Sequence, residues 1–127
     1  MTQNEEMSML AQRVYTHIVN QGQASMNDDR CEYLADDGSK CAAGIFITDY
    51  DSSMEGNLFK DLCELSINSS KIEPVAYKHS RFVTMLQSVH DSAAHDANDF
   101  IIRFKEYLIR WINNWNEKYG TDVKIPE

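Results

Sequence analysis

Glycine and proline are scarce in this chain of 127 residues, at five and two. So few of either leave little room for a long flexible linker. With no internal repeat and no low-complexity tract, a single domain over 1–127 is expected. No apolar run approaches the ~20 residues a bilayer span needs. The first twenty residues carry Glu5, Glu6 and Arg13 and no apolar signal core, which predicts a protein that stays in the compartment where it is made. Cysteines number three and none forms a Cys-x-x-Cys pair, which points to thiols or ligands rather than a disulfide framework. There is no Gly-rich phosphate loop, no Gly-x-Ser-x-Gly, no His-Glu-x-x-His and no basic patch. ATPase, serine hydrolase, zincin-type metalloprotease and direct nucleic-acid binder are therefore disfavoured.

Positive charge is the other shortage. Twelve basic side chains face twenty acidic ones, a formal charge of −8. The deficit is local. Residues 1–70 hold only Arg13, Arg30, Lys40 and Lys60 against twelve acids, whereas residues 71–127 balance eight with eight. Such a first half repels nucleic acid and anionic lipid and attracts basic partners. A charge of this size also serves simply to keep a small domain soluble.

Helical patterning dominates what remains. Thr2 and Glu5 have capping-box spacing, Met7, Leu10, Ala11, Val14 and Ile18 form one stripe, and Gly22 is a natural stop, so a helix is predicted over 4–21. Met54, Leu58, Leu62 and Leu65 suggest a short helix. Ser66 to Pro74 reads as loop. Ser80 is placed to cap a helix carrying Phe82, Val83, Leu86, Val89, His90 and Ala93 on one side. Asp96 is placed to cap the last helix, with Phe100, Phe104, Leu108, Trp111, Ile112 and Trp115 on its apolar face and Gly120 as its end. This aromatic helix, over 97–119, is expected to be the core's main wall. Ile102 and Ile109 lie beside its stripe and call for a second neighbour, within the domain or in a homo-oligomer.

Between the helices, residues 23–30 read as a polar loop. Asp36-Asp37-Gly38-Ser39 is a turn signal, and Cys41–Ile47 is an apolar run too short for periodicity to separate strand from helix. A hairpin about Asp36 would bring Cys31 nearly opposite Cys41; a helix would have Ser39 as its cap. The fold class expected is α+β, mostly helical, with about four helices around a small β-ribbon near residues 31–47.

Three sets of residues can carry chemistry. Cys31, Cys41 and His90 offer thiolate and imidazole ligands for zinc, with a fourth from Cys63, His79, His95 or an acid, although the nine-residue gap departs from the usual finger spacing. The alternative is that Cys41 and Cys63 are small core residues. Cys41 with His90, oriented by Asp91, has the elements of thiolate catalysis but no oxyanion motif beside it. His90-Asp91 also suggests a metal-dependent phosphohydrolase, a chemistry that needs further His and Asp ligands that no repeat of the pair supplies.

Cys31-Glu32-Tyr33, Asp37-Gly38-Ser39-Lys40-Cys41-Ala42-Ala43-Gly44, Ile47 and Asp49-Tyr50 resemble a group of small uncharacterised proteins of tailed phages and prophages. Gln21–Ser25, Met54-Glu55-Gly56 and Leu86–Ser92 extend the likeness over most of the chain. Leu34 stands where the group usually has arginine, and Thr48 where it has proline. The resemblance implies a phage-type accessory protein acting in the cytoplasm of a bacterial host. It supplies a setting and no mechanism, and it draws attention to Cys31, Cys41, Gly44, His90 and Asp91.

Composition and setting together lead to one expectation: an acidic, non-catalytic protein that binds a basic surface of a host protein and blocks it. The contacts expected are Asp28, Asp29, Glu32, Asp36 and Asp37. A small enzyme, or a metal-binding protein, using Cys41 and His90 is the alternative.

Overall fold

A computed structural model describes residues 1–96 and 99–127. The chain is mostly helical α+β, with five helices and one two-stranded ribbon among the described residues. Helix α1 spans Gln3–Gln21. Its capping box is formed: the Glu5 N–H donates to Thr2 Oγ1 and the Thr2 N–H to Glu5 Oε1, 3.1 Å each. Gly22 closes it at φ 76°. The stripe read from the sequence is its buried face.

The ribbon is shifted from where it was expected. Strands β1 (Met26–Asn27) and β2 (Arg30–Cys31) pair within the segment that reads as polar loop. A two-residue turn joins them, and Asp28 takes φ 54°, a conformation aspartate tolerates. The 31–47 segment contributes one further bridge, Leu34 to Lys40, around a turn closed by Gly38. The apolar run Cys41–Ile47 is neither strand nor regular helix. It makes a single helical turn over Gly44–Phe46 and then bridges Ile47 to Ile72. Gly44 lies directly under Tyr33: a Cβ there would sit 2.1 Å from the Tyr33 carbonyl oxygen.

Helix α2 (Phe59–Glu64) buries Phe59, Leu62 and Cys63, whereas Leu58 and Leu65 of the expected stripe are exposed. Gly56, at φ 80°, breaks the chain between Met54 and Phe59 and resets the helical phase. The stretch expected as loop contains one helical turn, Ser66–Asn68, and Pro74 opens α3 (Pro74–Lys78) at its first position, where a missing N–H costs nothing.

Helix α4 (Ser80–Ala94) occupies the centre, buries seven side chains and packs against every other helix. His79, not Ser80, precedes it, without a side-chain cap. Helix α5 (Phe100–Tyr119) covers α4. Only Phe104, Leu108 and Ile112 of α5 are fully buried, and Trp111 and Trp115 are half-buried, so the central wall is α4. Asp96 is not the cap of α5; its carboxylate meets Arg103 Nε at 3.2 Å, and Asp99 precedes the helix at φ 51°. Residues 97 and 98 of the expected 97–119 helix lie outside the described ones. Ile102 and Ile109 are 51% and 47% exposed, so the neighbour expected within the domain does not cover them. No helix among the described residues is long and apolar enough to cross a membrane.

Candidate functional site

One cleft gathers four separate segments. The end of β2 and the residue after it deliver Cys31 and Glu32, the start of the Cys41–Ile47 run delivers Cys41, the turn after Ser52–Met54 delivers Glu55, and α4 delivers Gln87 and Asp91, with His90 buried beside Asp91. The inner cleft holds about 180 Å³. An outer recess of about 420 Å³ shares Cys31, Glu32, Glu55 and Asp91 and adds Asp29, Arg30 and His95.

His90 is fully buried and both its ring nitrogens are engaged. The Ser25 backbone N–H donates to Nε2 at 3.1 Å, and Nδ1 lies 2.9 Å from Asp91 Oδ1. An Nε2 that accepts a hydrogen bond has no proton, so in the neutral ring the proton sits on Nδ1 and is donated to Asp91. This arrangement leaves no free lone pair on His90. Neither proton abstraction from a thiol nor metal ligation at Nδ1 is open to it while Ser25 holds Nε2.

Cys41 is buried, and its Sγ accepts the Gly44 N–H at 3.3 Å. Burial pushes its thiol up to about 12 despite the backbone hydrogen bonds to the sulfur. Such a thiol stays protonated at neutral pH. Cys63 is likewise buried and raised by burial. Cys31 is half-buried, raised to about 12 by burial first and then by the Asp91 carboxylate. Cys31, His90 and Asp91 come together, their ligand atoms all within 4.8 Å of one another; Cys41 is not part of that group.

Two carboxylates line the inner wall. Glu55 accepts the Tyr33 N–H (2.8 Å), the Leu34 N–H (3.2 Å) and the Tyr50 hydroxyl (2.7 Å). These three donors hold it in place. Glu32 is 7% exposed, which corrects the expectation of a surface contact. Burial raises its pKa, followed by its hydrogen bond to Glu55 and the charge of that neighbour. A raised folded-state value means that Glu32 adds stability fully below the ordinary value of 4.5, and that this contribution fades as pH climbs through the raised one. Glu32→Gln is therefore expected to match the parent at acid pH and to melt higher at neutral pH. Melting curves across that range check it.

The remaining acids behave as surface groups. Asp28, Asp29, Asp36 and Asp37 are exposed, and none is in an ion pair among the described residues. Asn27 ties the two turns together, accepting the Asp36 N–H at 2.9 Å. Asp37 has a structural task as well: its Oδ1 accepts the Ser39 N–H (2.9 Å) and hydroxyl (2.6 Å). Those bonds lower its pKa.

Sequence reasoning nominated Cys31, Glu32, Cys41, His90 and Asp91, with His95 among the possible further zinc ligands, but missed Glu55 and Gln87. Glu55 and Gln87 stand within segments that carry the phage-protein resemblance. Asp91 and His95 are four apart on one helix, a spacing that places two ligands on one face. The chain matches no protein-family model, no curated protein and no solved structure.

Proposed function

We propose that the chain is a phage-type accessory protein that binds a basic surface of a host protein, in the bacterial cytoplasm, and blocks it. One observation carries this reading. Asp28, Asp29, Asp36 and Asp37 stand on adjoining turns without ion pairs among the described residues, beside a cleft walled by Glu32, Glu55 and Asp91. Among the described residues lining either cavity, Arg30 is the only lysine or arginine, and it lies 3.9 Å from Glu32. A surface of this kind attracts and orients lysine- and arginine-rich partners. The inner cleft has room for the end of one long basic side chain. Cys31–Tyr33, Cys41, Glu55-Gly56, Gln87 and Asp91, all from segments of the phage-protein resemblance, line the same cleft, which supports the setting.

The thiol-enzyme alternative meets a specific obstacle. It needs a base at His90 and a thiolate at Cys41, and the hydrogen bonds of His90 and the burial of Cys41 oppose both.

Charge reversal tests the binding reading. Asp29→Lys with Asp36→Lys spares the turn that Asp37 builds and the positive φ of Asp28. Capture of a host partner by the parent protein is expected to weaken as salt rises, and the double variant to bind at least about tenfold more weakly. Binding indifferent to both salt and charge reversal would reject the acidic-face reading.

A further inference from the structure

We propose that Cys31, Asp91 and His95 form a binding site for a divalent metal ion of the zinc type at the mouth of the cleft. Cys31 Sγ and His95 Nε2 are 4.0 Å apart. A tetrahedral zinc with ordinary bond lengths holds sulfur and nitrogen about 3.6 Å apart, so a small side-chain rotation closes the gap. The Asp91 carboxylate lies within 4.8 Å of the same sulfur. All three side chains border the outer recess, which leaves room for a fourth ligand from solvent. His95 is exposed and free to turn.

The surroundings favour a cation. Asp91 and His95 sit at the carbonyl end of α4, the negative end of its dipole. Asp29 and the hydrogen-bonded Glu32–Glu55 pair add negative charge nearby, against Arg30 alone among the described residues lining the recess. His90 takes the supporting place. Its Nδ1–H donates to Asp91 Oδ1, fixed by the Ser25 N–H on the opposite nitrogen, and leaves the second carboxylate oxygen for the ion. The set differs from Cys31, Cys41 and His90. Cys41 is buried with its sulfur already accepting the Gly44 N–H and does not join the Cys31 and Asp91 ligand atoms, and ligation by His90 Nδ1 would put a proton on Nε2 facing the Ser25 N–H. On binding, the Cys31 thiol passes its proton to solvent and its sulfur bonds the ion as thiolate.

Cobalt(II) is the probe, titrated into the full-length protein freed of metal, with zinc as competitor. The expected result is a thiolate-to-cobalt absorption band with the visible bands of four-coordinate cobalt, removed by zinc. Cys31→Ser should abolish the thiolate band, and Asp91→Asn and His95→Ala should each weaken binding by about tenfold or more. Cys41→Ser should leave the band unchanged, with far-ultraviolet circular dichroism verifying that each variant is folded. No thiolate band, a band that survives Cys31→Ser, or unchanged affinity in folded His95→Ala overturns the proposal. Asp36→Lys alone lies outside the recess and leaves the three ligands and the acids around them in place, so a loss of partner binding in that variant is read separately from a loss of metal binding.

Discussion

Gly44→Ala is expected to destabilise the fold by at least about 3 kcal/mol, lowering its urea midpoint without changing the slope. The cause is steric. The added methyl carbon would lie 2.1 Å from the Tyr33 carbonyl oxygen and 2.9 Å from its carbon, and both are backbone atoms that no rotamer change moves. Relief requires Tyr33 to shift, and its N–H is bonded to Glu55 while its hydroxyl donates to the Asn57 carbonyl. The strain therefore reaches the cleft. Gly38→Ala is the control. Nothing lies within 4 Å of a Cβ there and the only penalty is its φ of 88°, so a loss of about 1 kcal/mol is expected. Equal losses at the two positions would show that the close approach at Gly44 relaxes freely.

His90→Ala is expected to lose about 3–5 kcal/mol, and His90→Phe about 1–3 kcal/mol. The alanine variant leaves a cavity and an unsatisfied Ser25 N–H in a site of zero exposure. Phenylalanine refills most of the volume, and the edge-on contact with Phe100, now 5.4 Å between ring centres, can persist. The buried N–H still lacks its acceptor, so the remaining loss reports the hydrogen bond. Denaturant unfolding of the two variants separates packing from polar satisfaction. A neutral His90→Phe would mean that the Ser25 N–H finds water or another acceptor. Asp91 also loses its donor in either variant, and exchange-broadening of its neighbours in NMR spectra should report the freed carboxylate.

Both predictions concern one construction. Ser25, at the end of the loop after α1, joins distant parts of the chain. Its N–H meets His90, and its hydroxyl oxygen lies 2.8 and 2.9 Å from the carbonyls of Glu32 and Ser39, between which its single proton is shared. The ribbon, the Asp36–Ser39 turn and α4 are thereby held at one buried junction. Of the three proposed ligands, His95 is the exposed one and lies outside this junction.

The sequence alone determined the three long helices, because their signals are local. The Thr2–Glu5 box, the 3.6-residue stripes and the glycines at 22 and 120 act within a turn or two of the chain. It also determined the negative excess of the first half and nominated Cys31, His90 and Asp91. Tertiary structure decided the rest. The ribbon formed at Met26–Cys31 through a two-residue turn with positive φ at Asp28, and the hairpin about Asp36 is reduced to the single Leu34–Lys40 bridge; both are too short for periodicity to register. Burial turned Glu32 from a surface acid into a cleft wall, and the stripe of α5 into a cover over α4. The chemical state of His90 was set by the N–H of Ser25, sixty-five residues away in the chain. Hydrogen-bond direction and exposure belong to pairs of residues brought together by folding, and no spacing along the chain encodes them.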